Sequence, residues 1–79
     1  MIKLTNVPWI MTRLDLARYL TRMLDSRVRY TKIIYDKETG LSRGIALVQI
    51  DNERVANDIL RRGALVIEGR SVNVGYYRQ

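Results

Sequence analysis

Residues 43–50, with the sequence RGIALVQI, constrain the fold of this chain most strongly, because a basic residue and a glycine lead directly into alternating apolar positions. A turn sequence, DKETG, precedes them at residues 36–40, and its glycine can take a positive φ. Residues 28–35, on the other side of that turn, are rich in β-branched and aromatic side chains. The pattern therefore predicts two strands, at 28–35 and 43–50, joined by a loop.

Two helices are predicted from cap residues and from the spacing of apolar positions. Thr12, with Asp15 three residues later, resembles a capping box and predicts a helix over residues 13–24. Asn52 and Gly63 are suited to begin and end a second helix. The apolar stripes predicted to face the core are Leu14, Ala17, Leu20, Met23 and Leu24 in the first helix and Val55, Ala56, Ile59 and Leu60 in the second.

The flanking segments supply the remaining strands. Ile2, Leu4 and Val7 alternate with polar residues in a short strand that Pro8 ends, and residues 65–74 read as a short hairpin ending in the last strand. The predicted order is βαββαβ. We therefore expect an α+β, ferredoxin-like sandwich in which a four-stranded antiparallel sheet carries both helices on one face. The other face of the sheet is left open, where a partner would lie.

Side-chain alternation assigns the strand residues to these two faces. The small residues Gly44 and Ala46 are expected to lie under a closely packed helix. The positions predicted to face inward are Ile2, Leu4, Thr31, Ile33, Gly44, Ala46, Val48, Ile50, Val72 and Val74. The positions predicted to face outward are Lys3, Thr5, Lys32, Ile34, Arg43, Ile45, Leu47, Gln49, Ser71, Asn73 and Gly75. The open face is therefore predicted to carry basic residues around an aliphatic patch.

The side chains available to the chain argue against an enzyme. Its 79 residues contain no cysteine and no histidine, so the usual thiolate ligand, the commonest metal ligand and the usual general base are all missing. Its carboxylates lie mostly at predicted caps, turns and helix surfaces, where solubility explains them. We therefore expect no catalytic residue, no metal and no cofactor.

Length and charge indicate one small basic domain, predicted to span residues 1–79. Fourteen Lys and Arg against eight Asp and Glu give a formal net charge of +6 and a pI of about 10.2, which suits a polyanionic partner. No apolar run approaches the ~20 residues of a membrane span, so no membrane partner is expected. Because strand-like sequence begins at Ile2, we expect no targeting peptide ahead of the fold in this chain.

These motifs resemble those of the RNA recognition motif family over essentially the whole chain. Residues 43–50 are similar to the longer of the family's two sequence motifs, with its basic residue, its glycine and its small and aliphatic positions retained. Residues 2–7, IKLTNV, are similar to the shorter motif, including its asparagine. The chain departs from the family at the aromatic positions, where Lys3, Ile45 and Leu47 stand.

The resemblance implies a single-stranded or stem-loop RNA on the open face, with bases stacked on aromatic residues of the two motifs. Three of those rings are absent here, which predicts weak binding by the isolated domain through phosphate contacts and aliphatic cover. Beyond the last strand, a tyrosine ring either stacks a base or covers the sheet edge. The residues expected to contact RNA are Lys3, Thr5, Lys32, Arg43, Ile45, Leu47, Gln49, Asn73, Tyr76, Tyr77 and Arg78.

Residues 7–9, 35–40, 43–44 and 67–69 are similar to one mitochondrial member of this family. That similarity implies an adaptor in the mitochondrial matrix that acts with a large pentatricopeptide-repeat RNA-binding partner to support messenger RNA stability. Affinity that neither component has alone can arise in such a complex. The nucleus and the cytoplasm are the alternative locations, and the isolated chain is expected to be a monomer.

The alternative function is a protein-interaction module that uses the same fold without direct RNA contact. The residues predicted to bind a partner in that case are Trp9, Ile34, Ile45 and Leu47. Trp9 is expected to pack as a plug under the first helix, whereas exposure would make it a candidate anchor for a partner. Tyr30 and Tyr35 are expected to pack at the strand ends, with stacking on a base as the alternative.

Overall fold

Residues 1–78 are described by a computed structural model, in which two helices cover one face of an antiparallel sheet. The strands follow the spatial order β2-β3-β1-β5-β4, and every neighbouring pair is antiparallel. The elements are β1 (Ile2–Thr5), α1 (Arg13–Leu24), β2 (Val28–Tyr35), β3 (Ser42–Ile50), α2 (Glu53–Arg62), β4 (Ala64–Ile67) and β5 (Arg70–Tyr76). The predicted ferredoxin-like α+β sandwich is confirmed.

The sheet has five strands among the described residues, where the sequence predicted four. The additional strand is β4, which pairs with β5 from Ala64 to Ile67. The two-residue turn between them has φ values of +51° at Glu68 and +75° at Gly69. Two consecutive positive φ values characterise the turn whose twist matches antiparallel strands, so this short hairpin joins the sheet as an edge strand.

Both helices begin at their predicted cap residues, α2 ends at Gly63 as predicted, and α1 ends at Leu24, as its apolar spacing predicted. At α1 the Thr12 Oγ1 accepts a hydrogen bond from the Asp15 backbone N–H at 3.1 Å, and the Asp15 carboxylate accepts one from the Thr12 N–H at 3.1 Å. At α2 the Asn52 Oδ1 accepts from the Arg54 N–H at 2.9 Å, and Gly63 ends the helix with a φ of +75°. These bonds satisfy backbone donors that a helix terminus otherwise leaves unpaired.

The buried stripe of α1 differs from the predicted one. Leu16 and Leu20 are fully buried, whereas Leu14 is 57% exposed and Met23 is also exposed. Leu20 was part of the predicted stripe, whereas Leu16, one helical turn before it, was not and is buried in place of Leu14. Together with the inner faces of the strands, Leu16 and Leu20 form the core, which consists of Ile2, Leu4, Val7, Met11, Leu16, Leu20, Ile33, Ala46, Val48, Ile50, Ile59, Leu65, Ile67, Val72 and Val74.

Gly44 packs against backbone, which corrects the prediction that it lies under a helix. Its φ is +72°, and a Cβ built on it would lie 3.3 Å from the Val7 carbonyl oxygen. The Val7 N–H donates a hydrogen bond to the Gly44 carbonyl at 2.9 Å. Gly44 is therefore required for a close approach of β3 to the segment that follows β1. Ala46 is fully buried, as its predicted inward orientation requires.

Among residues 1–78, no helix is long and apolar enough to cross a membrane. Over the same residues, no group of three or more acidic side chains is placed to hold a metal ion.

Candidate nucleic-acid interface

The centre of the open face is one row of residues that runs across four strands. Leu47 on β3 lies between Lys3 on β1 and Lys32 on β2, and Lys3 in turn lies opposite Gly75 on β5. Residues that pair directly across antiparallel strands project to the same face. Two ammonium groups therefore flank one leucine at the middle of the sheet surface.

Leu47 is only 8% exposed, although alternation predicted that it would point outward to the partner surface. Leu47 is absent from the core cluster that the helices cover, so it is buried on the open side of the sheet. The aliphatic stems of neighbouring lysines commonly cover apolar surface of this kind while their charged ends stay in water. A partner that lies on this row therefore contacts the ammonium groups of Lys3 and Lys32 and not the side chain of Leu47.

A second, more apolar row lies next to the first. Ile45 on β3 is opposite both Ile34 on β2 and Thr5 on β1, and Thr5 is opposite Asn73 on β5. The first three side chains are half-buried, and Asn73 is exposed. This row offers two aliphatic surfaces and two polar groups that can hydrogen-bond, with no charge of its own.

The open face is basic because it carries Lys3 and Lys32 and no carboxylate. The outward positions of the five described strands, from Lys3 to Gly75, include no Asp or Glu. Arg43 is exposed at the end of β3, beside the loop that Asp36 begins. Backbone hydrogen bonds from Thr39 and Glu38 lower the pKa of the Asp36 carboxyl, and the nearby Arg43 charge lowers it further.

Tyr30 also lies on the open face, where the sequence prediction had it packed at the end of its strand. Tyr30 is opposite Gln49 and shares its face with Lys32. Its side chain is 43% exposed, so the packing prediction is wrong. Tyr35 at the other end of β2 is 50% exposed, which corrects the same prediction there.

The two tyrosines at the C-terminal end of β5 lie on opposite faces. Tyr76 is opposite the inward-facing Ile2 and is 67% exposed. The Tyr77 N–H donates a hydrogen bond to the Met1 carbonyl at 3.0 Å, which extends the β1–β5 pairing by one step. By alternation Tyr77 shares the open face with Gly75, and its side chain is half-buried. Tyr76, predicted to contact RNA, therefore lies on the face away from Lys3, whereas Tyr77 lies on the open side, and Arg78 is exposed beyond the end of β5.

Trp9 is 65% exposed, so the prediction that it plugs the core is wrong. The Met11 N–H donates to the Pro8 carbonyl at 3.1 Å, and this bond closes a turn with Trp9 and Ile10 at its two central positions. Pro8 and Met11 are buried, while Ile10 is 69% exposed.

Asn6, the asparagine of the shorter motif, connects two strands. Its φ is +70°, its Nδ2 donates to the Ser71 carbonyl at 2.9 Å, and its Oδ1 accepts from the Arg70 Nε at 3.3 Å. These bonds tie the end of β1 to the start of β5. The residue therefore positions the open face and does not itself extend over it.

Comparison with solved structures identifies the fold. RNA Binding Protein PG1 is 25% identical and superposes with a TM-score of 0.77, over 99% of this chain and 93% of that chain. The RRM3 domain of Hrb1 is 26% identical, with a TM-score of 0.74 over 95% of this chain and 73% of that chain. The Rna15 RRM with bound RNA (GU) is 20% identical, with a TM-score of 0.73 over 99% of this chain and 82% of that chain. The chain has the fold of an RNA recognition motif. No protein-family model and no curated protein sequence matches it.

Proposed function

We propose that this RNA recognition motif fold binds single-stranded RNA on its open face, as a binding domain and not as an enzyme. The observation that carries the proposal is the central row, in which Lys3 and Lys32 flank Leu47 on a surface without carboxylates. Phosphate groups are the natural partners of such ammonium groups, and aliphatic side chains of the adjacent row can cover a base. The net charge of +6 favours the approach of a polyanion.

Solved structures of the same fold support this proposal. The Rna15 RRM was determined with bound RNA, and the RNA binding domain of Hrp1, 18% identical to this chain with a TM-score of 0.78, was determined in complex with RNA. This chain covers 45% of the length of the Hrp1 structure.

The binding that we propose is weak in the isolated domain. Lys3, Ile45 and Leu47 stand where the family carries three stacking rings. Stacking of a base on an aromatic side chain is worth roughly 1–3 kcal/mol, so the loss of three rings removes much of the affinity of such a surface. The remaining electrostatic contribution decreases as salt is added.

Weak RNA binding by the isolated domain is compatible with a more specific role, which we also propose: the chain is an adaptor for a second RNA-binding protein. Residues 7–9, 35–40, 43–44 and 67–69 are similar to the mitochondrial SRA stem-loop-interacting RNA-binding protein. On that similarity we propose that the chain acts in the mitochondrial matrix with a pentatricopeptide-repeat partner that supplies most of the RNA affinity. The test is size-exclusion chromatography of the chain with such a protein and RNA, where a ternary complex is expected and elution of the chain by itself would contradict the adaptor proposal.

The RNA-binding proposal is tested by titrating the domain into a labelled pool of short single-stranded RNAs at low and physiological salt. Loss of one phosphate contact in Lys3→Ala or Lys32→Ala is expected to weaken binding and to reduce the salt slope by roughly 0.7. Arg54→Ala is the matched control, because it removes one exposed positive charge from α2, on the face of the sheet away from Lys3. Equal effects of all three changes would contradict a specific role for the open face.

A second candidate function is protein binding through the turn that precedes α1. The observation that favours it is the exposure of Trp9 at 65%, Ile10 at 69% and Leu14 at 57%, since tryptophan is enriched at interface hot spots. The proposed pentatricopeptide-repeat partner provides the test, with Trp9→Ala expected to weaken its binding and Tyr76→Ala expected to leave it unchanged. Unchanged binding in Trp9→Ala would overturn this candidate and leave RNA binding unaffected.

A further inference from the structure

We infer that Tyr30 and Tyr77 form a stacking site for unpaired RNA bases at one end of the open face, displaced by one row from the ring-free centre of the sheet. This inference rests on the proposed RNA-binding function and specifies where that function retains aromatic contacts. It assigns a base-binding role to Tyr30, which the sequence pattern placed at a packed strand end.

A β-bulge aims the Tyr30 ring at the open face. Val28 is opposite Ile50 and Tyr30 is opposite Gln49, so Arg29 is an extra residue between the two pairs. Bulges of this kind redirect the side chains that follow them. The Arg29 guanidinium lies 2.7 Å from the Asp51 carboxylate, and this ion pair attaches the bulge to the end of β3.

Tyr77 lies at the other side of the same row. Its backbone N–H bonds to Met1, which continues the β1–β5 pairing beyond the Ile2–Tyr76 pair and places Tyr77 on the same face as Gly75. Tyr30 is opposite Gln49, and continuing the β1–β3 register one step beyond the Ile2–Val48 pair brings Met1 beside Gln49. The row therefore runs from Tyr30 through Gln49 and Met1 to Tyr77, with Met1 just before β1 and Tyr77 just after β5. Two rings stand at its ends, and the Gln49 amide, which can both donate and accept hydrogen bonds, stands between them.

The separation of the two rings specifies the kind of RNA that this row fits. Three strand spacings of ~4.8 Å place the Tyr30 and Tyr77 backbones about 14 Å apart. Successive nucleotides along one strand of a stacked duplex are only ~3.4 Å apart, and their base faces are already occupied by neighbouring bases. A splayed single strand can place one base on each ring with a further nucleotide over Gln49. The central row, ~6.6 Å away along the strands, then offers Lys3 and Lys32 to the backbone phosphates.

The test measures the affinity of ring-deletion variants for a labelled pool of short single-stranded RNAs at low salt. Tyr30→Ala and Tyr77→Ala are each expected to weaken binding about 5- to 150-fold, the effect of one lost stacking platform. Tyr30→Phe and Tyr77→Phe keep the ring and are expected to bind within about twofold of the unaltered chain. A labelled duplex of the same length is expected to show no effect of either alanine change.

Tyr35→Ala and Tyr76→Ala are the matched controls, because each removes an exposed tyrosine at the end of the same strand, Tyr35 from β2 and Tyr76 from the inward-facing side of β5. Unchanged affinity in Tyr30→Ala and Tyr77→Ala, with weakened binding in Lys3→Ala, would overturn the stacking site and leave the proposed function standing. Equal losses in all four alanine variants would also overturn it. No detectable binding by the unaltered chain would overturn the proposed function together with this inference.

Discussion

Val7 and Gly44 are joined by a hydrogen bond of 2.9 Å at a point where a Cβ on residue 44 would lie 3.3 Å from the Val7 carbonyl oxygen, a tight contact. This contact fixes the end of β1 against the start of β3, and these two strands carry Lys3, Ile45 and Leu47. The glycine of the longer sequence motif therefore has a structural role that determines the geometry of the open face.

Replacing Gly44 with alanine is expected to destabilise the fold. An L-residue at a φ of +72° costs about 1–2 kcal/mol, and the new Cβ would in addition meet the Val7 carbonyl oxygen at 3.3 Å. Gly40→Ala is the control, because its φ is +73° but nothing lies within 4 Å of the added Cβ. Chemical denaturation is expected to show a larger loss of unfolding free energy for Gly44→Ala than for Gly40→Ala, and equal losses would contradict the close approach.

The Asp36 carboxylate is expected to make stability depend on pH in the acid range. Hydrogen bonds from the Thr39 and Glu38 N–H groups depress its pKa below the ordinary value of 3.8, so the folded state binds this proton less readily than the unfolded state. The resulting stability is present above that ordinary value and is lost as the pH falls through the folded pKa.

Asp36→Asn tests this dependence while keeping an acceptor oxygen for the same two N–H groups. Because asparagine does not titrate, the fall in unfolding free energy on acidification from neutral pH is expected to be shallower in the variant. The measurement is urea denaturation at a series of pH values. Parallel pH profiles for the two proteins would show that this carboxylate does not contribute.

Trp9 is expected to be dispensable for folding. It is 65% exposed, so Trp9→Ala should change the free energy of unfolding by no more than about 0.5 kcal/mol. Met11, two residues later, is 5% exposed, and Met11→Ala is expected to cost about 2–5 kcal/mol. Because Trp9 is the only tryptophan, fluorescence quenching in the folded chain reports it alone. Quenching far below that of the unfolded chain would contradict its exposure.

Cap chemistry made the helix positions predictable. The Thr12–Asp15 box and the Asn52 cap begin α1 and α2 at the expected residues, and Gly63 ends α2. The buried stripe of α1 was less predictable, because Leu14, three residues before Ala17, and Leu16, four residues before Leu20, both fit helical spacing. Only the position of the sheet relative to the helix decides between them, and it buries Leu16.

The candidate interface was predictable in its composition and less so in its detail. Alternation placed Lys3, Lys32 and Ile45 on the open face, because pairing in register preserves a period of two. It did not predict the burial of Leu47, which depends on neighbours from two other strands. Nor did it predict that the Tyr30 side chain faces the open side, which depends on the bulge at Arg29. Both features depend on residues in other strands or on an irregularity of pairing, which the local sequence pattern does not specify.

The measurement that tests the central claim most directly is a set of amide chemical shift changes recorded while single-stranded RNA is added to the isotope-labelled domain. RNA on the open face is expected to shift the amides of Lys3, Lys32 and Leu47 most strongly, because these residues form the central row of the sheet. The amides of α1 and α2, on the opposite side, are expected to change little. Shifts confined to the helices, or no shifts at low salt, would contradict RNA binding on the open face.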